Sequence, residues 1–156
     1  MSPITEHDIY LFKEGSHTRL YDKLGCQLGD DGSAHFAVWA PNARAVSVIA
    51  DCNGWNPGAH AMNARWDGSG IWEISIPDVH PGAAYKYRIV SQHRQTLEKG
   101  DPFAFYWEEA PRTASRVWRL DYTWGDEAWM RSRAKMNALD APMSKYHMHL
   151  ASWRRT

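Results

Sequence analysis

Four kinds of side chain in this 156-residue sequence could carry chemistry: carboxylates, imidazoles, thiols and indoles. Carboxylates stand side by side twice, at Asp30-Asp31 and Glu108-Glu109. Acid–base work on a bond needs two carboxyl groups facing each other across about 5–10 Å, whereas neighbours on an extended chain point apart. Both pairs are therefore read as solvated turn carboxylates. His147 and His149 of "HMH" are two apart, which on a strand puts both imidazoles on one face, where they could share a metal. The two cysteines, Cys26 and Cys52, are too few for a disulfide framework and are expected as free buried thiols of a reducing compartment. No Gly-x-Ser-x-Gly elbow, phosphate-cradling glycine loop or zinc-spaced cysteine pair occurs, so nucleophilic, nucleotide-dependent and zinc chemistry have no foothold.

The indoles remain. Nine Trp, seven Tyr and four Phe exceed what a core of this size requires, so some rings are expected on the surface for use. Trp55 poses the question most sharply, because it sits in "DCNGWNPGAH" among turn-forming residues. Either it plugs a turn or it is an exposed platform for a ligand ring.

The elements that must position these rings read as an all-β body. "SAHFAVWAP" alternates, with Phe36, Val38 and Ala40 opposite His35, Ala37 and Trp39. "GIWEISIPD" and "AYKYRIV" alternate likewise, each as a strand with one buried side. "AVSVIA" and "SRVWRLD" are further candidates, and the breaks "DDGS", "PNAR", "NGWNPG", "DGSG" and "VHPGAA" imply antiparallel hairpins. The fold class expected is an immunoglobulin-like antiparallel β-sandwich with a short C-terminal helix and a tail strand. The expected division is a lead-in over 1–20, holding a short helix, and a sandwich over 21–122. A helix and linker would follow over 123–141, with Asp126 as N-cap, and a strand within 142–156.

Charge narrows the partners. Lys and Arg total 18 against 18 Asp and Glu with no run of either sign, which argues against nucleic acid and anionic membranes. No apolar run approaches the roughly 20 residues of a membrane span, and the N-terminus lacks signal-peptide features, so a cytoplasmic protein is expected.

In order and over nearly the whole chain, the segments "LFKEGSHTRLYDKLGCQL", "FAVWAPNARAVSVIADCNGWN", "SGIWEISIPDVHPGAAYKYRI", "KGDPFAF", "RTASRVW" and "DAPMSKYHMHLASWRR" resemble the N-terminal region of bacterial glycogen branching enzymes. The resemblance implies a carbohydrate-binding module, a β-sandwich shared with isoamylases and the glycogen-binding subunit of AMP-activated kinase. It also implies an α-amylase-type barrel beyond it, with "SKYHMHLASWRR" as that barrel's first strand. Lys145, His147, Met148 and Ala151 depart there from the family's usual Ile, Glu, Val and Gly, while His149 matches, so the metal reading of "HMH" is the weaker one. The implied parent cuts an α-1,4-glucan and transfers the freed chain to a 6-hydroxyl, but the family's acid and nucleophile lie on later barrel strands. The chain is therefore expected to be inactive alone, with no catalytic residue, no cofactor and no metal.

The same resemblance places Trp55 on the tryptophan that contacts glucan in the kinase-subunit modules, with Cys52 where Phe is usual. Lys86 falls on the lysine that bonds sugar hydroxyls, and Asn53 on the loop motif, more to shape it than to touch sugar. A second tryptophan is missing: before Asp101-Pro102 the sequence reads "QTLEKG", with Leu97 or Glu98 nearest that place. Thr113 and Ser115 align only loosely with polar contacts. The partners implied are α-1,4/1,6-glucan (glycogen or maltooligosaccharide) and the catalytic barrel of the parent. The alternative is a structural domain that supports the barrel and sets the length of the transferred chain, with little glucan affinity of its own.

Overall fold

The computed structural model describes residues 2–136 and 138–153. Two compact units divide the chain, Met1–Leu120 and Asp121–Thr156. In the first, β1 (Gly25–Leu28), β2 (Ala34–Trp39), β4 (Asn63–Ala64) and β5 (Ile71–Ile76) form one antiparallel sheet in the order β1-β2-β5-β4. The second sheet runs β3 (Ala43–Ala50), β6 (Ala84–Ser91), β9 (Ser115–Arg116), β8 (Tyr106–Trp107), and β7 (Thr96–Lys99) also pairs with β6. The result is the immunoglobulin-like sandwich that the alternating segments require.

Its core is built by every second residue of the long strands, as a pleat of period two dictates. Phe36 and Val38 of β2 meet Val46 and Val48 of β3 and Tyr85 and Tyr87 of β6, closed by Ile76 and Val117. The rings of Phe36 and Tyr85 pack edge to face at 5.1 Å. Asp101 lies in this core with no exposed surface. Its carboxylate accepts the hydroxyls of Tyr85 at 2.6 Å and Tyr87 at 3.1 Å and the amide of Phe103 at 2.8 Å. Burial pushes its pKa up, against these bonds, so the aspartate of "DPF" is a structural anchor whose lone pairs are satisfied inside.

Strand β2 is not half-buried, contrary to its alternation. β2 is buried along all but its last residue, because the N-terminal segment covers its outer face. Ile4, Ile9 and Leu24 pack there on Ala37 and Ile71. Helix α1 (Glu6–Glu14) starts at a capping box in which Asp8 N donates to Thr5 Oγ1 and Thr5 N to Asp8 Oδ2. It ends at Gly15 in the left-handed conformation, φ 78°. The lead-in of 1–20 thus belongs to the same compact unit as the sandwich.

In Asp121–Thr156, α2 spans Glu127–Met136 and α3 is one turn, Leu150–Trp153. The expected tail strand does not form: residues 142–149 carry no strand, and the chain turns helical at Leu150. An isolated strand has no neighbour to take its N–H and C=O groups, and among the described residues this unit offers none. Without a strand, His147 and His149 lose the shared face on which a paired metal site depended. His149 Nδ1 instead lies 2.9 Å from Ser152 Oγ.

Candidate functional site

The loop after β3 is built by its own side chains. β3 ends at Ala50, a single 3-10 turn covers Asp51–Asn53, and Gly54 and Trp55 both take left-handed backbone, φ 61° each. Glycine enters this region freely, whereas a tryptophan pays steric strain of about 1 kcal/mol. Two bonds hold Trp55 there: its amide donates to Ala50 O at 2.9 Å, and its indole Nε1 donates to Asp51 Oδ1 at 3.0 Å. The ring remains 39 % exposed. It is not a core plug.

Asn53 is turned inward. Its Oδ1 accepts the Ala50 amide at 3.0 Å, and its Nδ2 reaches Val48 O at 2.9 Å and His60 Nδ1 at 3.0 Å. Both ends of the Asn53 amide are thus engaged in holding the loop. The returning chain then zips to the free edge of β3, with Val48 N donating to His60 O and Met62 N to Val46 O. Cys52, expected buried, is exposed in this loop, while Cys26 is buried; both are free thiols. The correction follows from position, since the 3-10 turn leaves the sheet and carries Cys52 with it.

Asp51 is the residue that sequence reading passed over. Its second oxygen accepts the Ala84 amide at 2.8 Å, so one carboxylate ties the Trp55 indole to the first residue of β6. The available signal was a carboxylate four residues before the tryptophan in a turn-rich stretch.

β6 supplies the polar side. Lys86 lies opposite Ile49 and alternates with the buried Tyr85 and Tyr87, so it projects away from the core. Its ammonium donates to Thr113 Oγ1 at 2.8 Å. That is its one hydrogen bond among the described residues, and an ammonium has three N–H donors. Trp55, bonded to the last residue of β3, and Lys86 therefore stand at the same end of the β3–β6 ladder, with Thr113 brought to Lys86 from the segment before β9. Ser115 is not available, being buried as the acceptor of the Asp101 amide at 2.8 Å.

A ring, an ammonium with unused donors and a hydroxyl offer a flat apolar face beside donors for hydroxyls, a set that would suit a sugar-recognising module. Comparison with known proteins agrees with that class. The family profile of carbohydrate-binding module 48 (isoamylase N-terminal domain) matches residues 23–104, and the chain belongs to this family. It is 60 % identical over 154 residues to the 1,4-alpha-glucan branching enzyme of Aromatoleum aromaticum, covering 99 % of this chain and 24 % of that protein. The branching enzyme of Albidiferax ferrireducens is 55 % identical over 152 residues, 97 % of this chain and 24 % of that protein. The chain thus spans about a quarter of the length of these curated relatives. Among solved structures, a Klebsiella pneumoniae pullulanase complexed with maltotriose superposes with TM-score 0.52 at 29 % identity, covering 64 % of this chain and 10 % of that one.

Proposed function

We propose that this sandwich is the α-glucan-binding module of a cytoplasmic branching enzyme of glycogen synthesis, and that it holds polymer at Trp55 and Lys86. The observation that carries the reading is Trp55 itself: a tryptophan held in left-handed backbone with its ring exposed has no packing reason to be there. Lys86, with donors to spare beside Thr113, supplies the hydrogen bonds that orient a sugar.

The affinity expected is low. One indole face over a glucose ring removes about 80 Å² of apolar area from water, worth about 2 kcal/mol. Lys86 adds about 1.5 kcal/mol, because the sugar hydroxyls were already bonded to water. Ordering a flexible glucan opposes both, so these two residues alone leave a dissociation constant of several millimolar or weaker. Weak binding of this kind suits a module that keeps polymer near a barrel through many repeated contacts. Electrophoresis in a gel containing glycogen tests the reading: the chain is retarded, Trp55→Ala is not, and Lys86→Ala lies between. A chain that runs unchanged through glycogen would leave the sandwich as a support for the rest of the enzyme.

A further inference from the structure

Trp107 ends β8 opposite Ser115, and its indole leans over Gly100. A Cβ at Gly100 would collide with ring atoms Cζ3 and Cη2 of Trp107, so only glycine seats the ring there. The same point lies 3.2 Å from Thr113 O, and Thr113 Oγ1 accepts the Lys86 ammonium at 2.8 Å. Trp107, Thr113 and Lys86 therefore follow one another along a continuous strip.

Seated on backbone from below, the Trp107 ring is still 44 % exposed. It differs in this from its neighbours Tyr106 and Trp118, whose rings pack on each other at 4.9 Å and so already have partners. A ring held in place before a ligand arrives loses little side-chain freedom on stacking. The groups beside it, a hydroxyl and an ammonium with unused donors, match the polar rim of a sugar rather than an apolar side chain.

We propose that Trp107 is a second aromatic contact for α-glucan, so that a chain bound at Trp55 and Lys86 continues across Thr113 onto the Trp107 indole. The proposal rests on the glucan-binding reading of Trp55 and Lys86, and names a residue that widens that site.

The test is titration calorimetry of the full 156-residue chain with maltoheptaose, beside migration in glycogen gels. Trp107→Ala is expected to weaken binding about tenfold and Trp107→Phe less, in line with the ring area removed. Gly100→Ala keeps the indole but displaces it, and is expected to match Trp107→Ala. Should Trp107→Ala fail to fold, Trp107→Phe and Gly100→Ala carry the comparison. If these variants bind like the parent while Trp55→Ala does not, Trp107 is no contact and the glucan reading survives. If the unsubstituted chain itself ignores both ligands, the two readings fall together.

Discussion

Trp55 separates a structural from a binding role by a sign. In a plug, every truncation costs contacts, and glycine, the smallest, costs most. In a left-handed residue with an exposed ring, alanine keeps the strain and glycine releases it. We therefore expect Trp55→Gly to be more stable than Trp55→Ala by about 0.5–1 kcal/mol in urea denaturation, with both losing glycogen retardation. A glycine variant less stable than the alanine variant would make the indole part of the packing. The loop was legible as a loop from its turn residues, and Trp55 as its odd member. Asn53 was expected to shape the loop, but its partners Ala50, Val48 and His60 were not legible, because which groups an amide meets depends on how the chain returns.

Among the elements, α1 and β2 show how the N-terminal segment is fastened. Asp8 caps α1 and also takes His17 Nε2 at 3.1 Å and Lys23 Nζ at 3.0 Å. Burial disfavours its charge, but the bonds from Thr5, His17 and Lys23 outweigh that and hold its carboxyl well below the usual range. Asp8→Ala should cost about 1 kcal/mol, about 4 °C in melting temperature for a domain of this size. On the same face of the first sheet, His35 lies in a buried strand with Nδ1 3.1 Å from Ser75 Oγ. Its Nε2 makes no hydrogen bond and lies 3.4 Å from Glu73, whose carboxylate Arg65 also holds at 2.9 Å. Burial pushes the His35 pKa down, against the upward pull of Glu73. Folded His35 therefore resists a proton that the unfolded chain takes up near about pH 6.5. The stability it contributes is whole above that value and is lost as pH falls through the lowered folded value. The urea midpoint is expected to fall between pH 7 and pH 5, with a shallower slope in His35→Asn; equal slopes would place the effect elsewhere.

For the whole molecule, the division at Leu120 makes a direct prediction. Because the core, the capped helix and the candidate site all lie in the first unit, a chain ending at Leu120 should melt within about 3 °C of the full chain and keep its retardation in glycogen. Loss of folding on that truncation would show that the second unit holds the first together. The full chain should release no reducing ends and form no branches on amylose, since Asp30-Asp31 and Glu108-Glu109 do not oppose each other across a bond. In the structure Glu108 is engaged with the Ala114 amide at 3.2 Å and lies 3.7 Å from Arg116. Either product from pure protein would overturn this.

Strand pattern, turn residues and the ordered matching segments settled the sandwich, because period-two burial and turn chemistry are local and survive without knowledge of neighbours. The ring in the loop and the lysine on β6 were also named from sequence. Burial on the outer face of β2 was not, since it depends on Ile4 and Ile9 folding back over Ala37. The strand expected of "KYHMHLASWRR" failed for a related reason: alternation permits a strand, but only a paired neighbour makes one. Convergence was the last thing left to the tertiary structure. Asp51 reaching Ala84, Lys86 reaching Thr113 and Trp107 lying on Gly100 join residues 33 and 27 positions apart, and the end of β8 to the residue after β7, because strand pairing brings their flanking segments together. Residue types are written along the chain, but which of them share a surface is set by hydrogen-bonded register between strands distant in sequence.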